Sequence, residues 1–180
     1  VTAGSAVNEF SIGNAATGTA PAISVTGGDA NIDLNITPKG YGRATFNGQG
    51  KIQSVAEKVT TAATAATGTI AYDVLTQAVL NFTSDAAANW TLNIRGDGST
   101  SLDSIMDTGE SITIAHIVKQ GSTPYYNSAV QIDGSSVTPE YQGGSAPTEG
   151  NANSLDVYSY TIIKTGDAAF TVLAALTQFA

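Results

Sequence analysis

Apolar and polar residues alternate along this chain in short runs cut by glycine and proline. The clearest run is Asn31-Ile32-Asp33-Leu34-Asn35-Ile36-Thr37, held between Gly27-Gly28 and Pro38-Lys39-Gly40. Ile32, Leu34 and Ile36 share one side; Asn31, Asp33, Asn35 and Thr37 share the other. A period of two predicts a strand, and the flanking residues predict turns. Similar short strands are expected over Val7–Ile12, Ala22–Thr26 and Arg43–Phe46. Pieces this short do not bury an apolar face alone, so they need cover from a neighbouring copy, another chain or a larger domain.

Gly48-Gln49-Gly50 reads as a junction, dividing an extended β-arm (1–50) from a longer domain (51–180). Beyond it strands are expected over Lys51–Thr60, Thr69–Asp73, Gln77–Thr83, Asn89–Arg95, Ser111–Lys119, Ser128–Asp133, Leu155–Lys164 and Phe170–Phe179. Thr61–Thr67 reads as strand or loop, Ser101–Asp107 as about one helical turn, and Thr165-Gly166-Asp167 as a hairpin connection. Turn signals every ten or so residues point to an all-β fold, an antiparallel β-sandwich of jelly-roll type. Its expected core is Val59, Ile70, Tyr72, Val79, Trp90, Leu92, Ile94, Ile112, Ile114, Val118, Ile132, Val157, Ile163, Val172 and Leu173.

Composition sharpens this picture. The chain has 180 residues, enough for one moderate domain or a small domain with an arm. Charged residues make up 12%, well below the ~25% of a typical soluble domain. Thr, Ser, Asn, Gln and Gly supply the polarity, which suits β-structure and a surface covered by other subunits. At 42% hydrophobic the chain has the means for a packed core. A net charge of −8 and seven scattered cations argue against nucleic-acid binding. No apolar run approaches a membrane span, so membrane insertion is not expected. There is no cysteine, and the first residues lack both an initiator Met and a signal-peptide pattern, as in a processed chain or part of a longer one.

Several stretches carry a resemblance. Asn8-Glu9-Phe10 through Asn31-Ile32-Asp33-Leu34-Asn35-Ile36-Thr37-Pro38-Lys39-Gly40 resembles a unit of fibre and virion structural proteins of tailed bacteriophages, of the marine cyanophage type. Trp90 to Leu102, Val130 to Pro139, Tyr160 to Gly166 and Phe170 to Ala174 look similar to the same group. The resemblance implies a β-rich virion component, a homotrimer that also meets other virion proteins, with no catalytic residues to carry over. A single arm copy implies a short fibre, an adaptor or a capsid-surface decoration rather than a long shaft. The alternative is a receptor- or glycan-binding tip module that contacts host-surface glycan.

Individual residues add little chemistry. His116 shares parity with Ile112, Ile114 and Val118 and reads as a core or interface imidazole. Asp29, Asn31 and Asp33 echo the start of a calcium loop, but Leu34 stands where its glycine belongs, so a solvated or inter-subunit face is the better reading. Arg95-Gly96-Asp97 reads as a turn. Glu110, Asp133, Glu140 and Asp156 show no spacing that selects a glycosidase pair. No catalytic residue, cofactor or metal ligand is assigned. The expected assembly interface is Ile32, Leu34, Ile36 and Phe46; Tyr125 and Tyr126, in a loop after Pro124, are the expected ligand contacts.

Overall fold

The computed structural model describes residues 7–180, and their Cα positions divide into two units, one ending at Lys51 and one beginning at Ile52. The first unit contains an antiparallel pair, β1 (Asn8–Gly13) and β2 (Ala22–Gly27), with Phe10 opposite Val25 and Ile12 opposite Ile23. The intervening loop turns at Gly18, whose φ of 89° is open only to a residue without a Cβ cost.

Beyond this pair the expectation changes. Asn31–Thr37 and Arg43–Phe46 belong to no strand, so two of the four expected arm strands are corrected to unpaired chain. Their alternation sets which way side chains point, but a strand also needs a ladder partner, and among the described residues these segments have none.

The second unit is built from β3 (Val59–Ala62), β4 (Gly68–Asp73), β5 (Val79–Phe82), β6 (Trp90–Arg95), α1 (Leu102–Ile105), β7 (Ser111–Lys119), β8 (Asn127–Ile132), β9 (Ser135–Val137), β10 (Glu140–Tyr141), a short 3-10 turn (Gln142–Gly144), β11 (Leu155–Gly166) and β12 (Ala169–Phe179). The all-β class holds. Antiparallel pairing does not hold throughout: β3, β5 and β7 run parallel in one sheet, and β4, β6 and β8 run parallel in another. The chain passes to the other sheet with each successive strand from β3 to β8, winding as a flattened coil. Antiparallel partners finish it, β11 against β7 and β12, and β9 against β8. Strand β3 begins only at Val59, so Lys51–Lys58 is not strand.

Parallel register stacks like on like. Ile70, Leu92 and Val130 occupy matched positions on β4, β6 and β8, as do Tyr72, Ile94 and Ile132. All six are buried. Rings from both sheets meet at the centre, where Trp90 stands edge-on to His116 and to Tyr158. The Tyr72 hydroxyl, on β4, donates to the carbonyls of Ala78 and Ala115, tying it to the chain at β5 and β7.

The core needs correction at several positions. Val59 and Leu173 are exposed, and Val79, Val157 and Ile163 are half-buried. On β5 the inward face is Leu80 and Phe82; on β11 it is Asp156, Tyr158, Tyr160, Ile162 and Lys164. Ile112 is half-buried against the core; the other expected core residues are buried. The expected helical turn is α1, capped by the Ser101 hydroxyl accepting from the Ser104 N–H at 3.1 Å.

Candidate functional site

The surface carries apolar side chains that this chain leaves uncovered. Phe10 and Ile12 lie on one face of β1, paired across to Val25 and Ile23, and Phe10, Ile12 and Ile23 are 59%, 73% and 64% exposed. A two-stranded pair with such a face is marginal in water without a third layer. Of the expected interface residues, Leu34, Ile36 and Phe46 are 40%, 64% and 78% exposed, while Ile32 is half-buried. In the second unit Ile52, Val55 and Val59 are exposed as well. Sequence alternation alone points to the 32–36 stripe and Phe46. The Phe10/Ile12 and Ile23/Val25 alternations flanking one loop were the available signal for the rest.

A second feature lies at the sheet edges. Among the described residues β3 pairs only with β5 and β4 only with β6, so the first turn of the coil presents two free edges. The opposite ends are blunted by short strands, β9 with three residues and β10 with two. From Thr60 to Tyr72 the chain has no charge and no proline, the usual guards of a free edge.

The expected ligand tyrosines, Tyr125 and Tyr126, are both half-buried, with their backbone N–H groups held by side chains. Tyr125 is half-buried against the core; its N–H donates to Gln120 Oε1 at 2.9 Å and its carbonyl accepts from Gln120 Nε2 at 2.6 Å. Gln120 Nε2 also donates to Asp156 Oδ2, 2.9 Å away. Burial raises the Asp156 carboxyl above its usual range, against opposing hydrogen bonds from Asn151 and Gln120. Tyr126 is half-buried, with its N–H donating to Asn89 Oδ1 at 3.1 Å.

A different tyrosine faces open space. Half-buried Tyr141 lines two adjoining grooves of about 500 Å³ and 450 Å³. Gln142, Thr148, Glu149 and Gln178 line one, and Glu140 and Ser159 the other. This is an aromatic face ringed by amides, hydroxyls and carboxylates.

The remaining motifs resolve into structure. Arg95 Nε donates to Asp73 Oδ1 at 2.7 Å, and Asp97 Oδ1 accepts from the Ser99 N–H at 2.8 Å, so Arg95-Gly96-Asp97 is a braced turn. Asp29 accepts from Asn8 Nδ2 at 2.7 Å. Among the described residues no group of three or more His, Cys, Asp or Glu is placed to hold a metal ion. Asp133 caps α1, its two oxygens accepting from the N–H groups of Leu102 and Asp103 at 2.7 and 3.0 Å.

No family model matches the chain, and no curated protein or solved structure does.

Proposed function

We propose that the chain is a non-enzymatic structural protein of a bacteriophage particle, a short fibre, adaptor or capsid-surface decoration that acts by assembling with copies of itself, as a homotrimer, and with other virion proteins. Its second unit is read as a two-sheet sandwich wound in parallel turns. The observation that carries the reading is the uncovered apolar surface of the first unit, with Phe10, Ile12, Ile23, Ile36 and Phe46 all more than half exposed. Covering apolar surface is the main drive for association. The low charge content suits an interface, and the sequence resemblance supplies the virion setting.

Native mass spectrometry combined with hydrogen exchange tests this reading. The expected result is a single oligomer with slow exchange in residues 8–27 and 31–37. A monomer with fast exchange throughout residues 7–50 overturns it.

A second reading, a glycan-binding module, is favoured by the Tyr141 grooves rather than by Tyr125 and Tyr126. Aromatic rings stack on the apolar faces of sugars while amides and carboxylates bind hydroxyls. Its test is binding to host-surface polysaccharide, expected to fall at least tenfold in Tyr141→Ala and to be unchanged in Tyr126→Ala. Absence of binding by the unaltered protein overturns it.

A further inference from the structure

We infer that residues 31–37 of one copy of this chain add as an edge strand to β4 of a second copy. The inference rests on the assembly reading and names the contact that makes it.

The two halves fit each other. Among the described residues Asn31–Thr37 has strand alternation but no ladder partner, and β4 has a ladder on one side only. Every other backbone N–H and C=O of an edge strand points outward, so each half offers what the other lacks. The β4 edge suits this segment better than the β3 edge. It has six residues against four, and it borders the apolar stacks Ile70–Leu92–Val130 and Tyr72–Ile94–Ile132.

A parallel added strand continues those stacks by one layer. With Leu34 opposite Ile70, Ile32 falls opposite Gly68 and Ile36 opposite Tyr72. Leu34 and Ile36 then extend a row in which Ile70 and Tyr72 are already buried, and Ile32 falls beside the exposed Gly68, which has no side chain to exclude it. Asp33 and Asn35 fall on the outer side, beside the exposed Thr69 and Ala71. Pro38 falls just past Asp73, where β4 ends and no further ladder N–H is required.

Each copy both gives a strand and takes one, a head-to-tail contact that closes into a ring when the rotation permits.

The chain has no cysteine, which makes a cross-linking test clean. Full-length Asn35→Cys and Ala71→Cys chains, carrying different tags, are co-expressed and treated with a short bismaleimide. Both positions are exposed, so neither substitution touches the core. The expected result is a covalent pair joining one chain of each kind, at least tenfold more abundant than with Ser136→Cys, on β9, replacing Ala71→Cys. The double variant Asn35→Cys/Ala71→Cys should link between chains. Linking only within a single chain overturns the proposal, as does equal yield with Ser136→Cys. If native mass shows an oligomer and positions 35 and 71 do not link, this contact is wrong and the assembly reading stands. A monomer at every concentration overturns both.

Discussion

The indole of Trp90 stands edge-on to the imidazole of His116, with 5.8 Å between ring centroids, and neither ring nitrogen of His116 has a hydrogen-bond partner. Phe82 and Tyr158 close the remaining sides, at 5.5 and 6.2 Å. In this apolar box the neutral imidazole is strongly favoured. Burial pushes its pKa down from 6.5 to about 4.

A base with a lowered folded pKa binds fewer protons folded than unfolded, so its contribution to stability is full above the unfolded pKa and declines as pH falls. The window runs from about 6.5 down to about 4. At ~1.4 kcal/mol per unit this amounts to roughly 3 kcal/mol lost across the window. Asp156, raised by burial, takes up protons more readily folded and offsets part of the loss just above the normal carboxylate pKa. Urea unfolding at neutral pH and near pH 4 is expected to show the decline in the unaltered protein and much less of it in His116→Phe. Equal declines in both would remove His116 as the cause.

Gly150 is the tightest point of the cluster beneath Tyr125. A Cβ there would lie 2.8 Å from both Asp156 Oδ2 and Gln120 Nε2, and closer still to the Tyr125 carbonyl. Gly150→Ala must therefore displace backbone or break the Gln120 bonds, and is expected to destabilise by ~2–4 kcal/mol. Gly50→Ala, with open space around it, is the comparison and should change stability little. Thermal denaturation of the two variants checks the difference.

Lys164 reaches inward from β11 to hold α1. Its Nζ donates to the carbonyls of Asp103 and Met106 at 2.5 and 3.0 Å and pairs with Asp103 Oδ1 at 2.7 Å. Lys164→Met keeps most of the stem and abandons both carbonyls, with an expected cost on the order of 2 kcal/mol. Proteolysis near Ser101–Met106 should accelerate in the variant. An unchanged cleavage rate would mean that α1 does not depend on this lysine.

Asn127 connects the two sheets. It accepts from the Tyr160 hydroxyl at 2.7 Å and donates to the carbonyls of Trp90 and Ala129 at 3.1 and 2.9 Å. Tyr160→Phe leaves its Oδ1 buried without that donor, an expected loss of ~1–3 kcal/mol in equilibrium unfolding. Asn127→Ala in the same background should cost less than it does alone, because the two groups share one bond.

Where one parity was apolar and the other polar, the sequence alone placed the faces. Trp90, Leu92 and Ile94 alternate with Thr91, Asn93 and Arg95, and β6 is oriented as expected. On β5 Val79 and Leu80 are adjacent apolar residues, and only Phe82 tips the choice to the even positions. On β11 the inward row includes Asp156 and Lys164, charges held by buried partners that no local pattern reveals. Parallel winding was hidden for a different reason. Val79 lies beside Ala115 and Leu92 beside Val130, and neither distant pairing leaves a mark on local alternation. The apolar stripe at Ile32, Leu34 and Ile36 was legible because its alternation is strict; that its segment has no ladder partner among the described residues was not, since pairing is decided elsewhere in the chain.

The central claim is that uncovered apolar residues of the first unit hold copies of this chain together. Sedimentation equilibrium of the full chain, beside a variant with Ile12→Ser, Leu34→Ser and Ile36→Ser, tests it most directly. All three side chains are exposed, so the substitutions should leave the second unit folded, as circular dichroism would verify. The expected outcome is an oligomer for the unaltered chain and a dissociation constant raised at least a hundredfold in the variant. A single-chain mass for the unaltered protein at high concentration, or the same oligomer from both, would contradict the account.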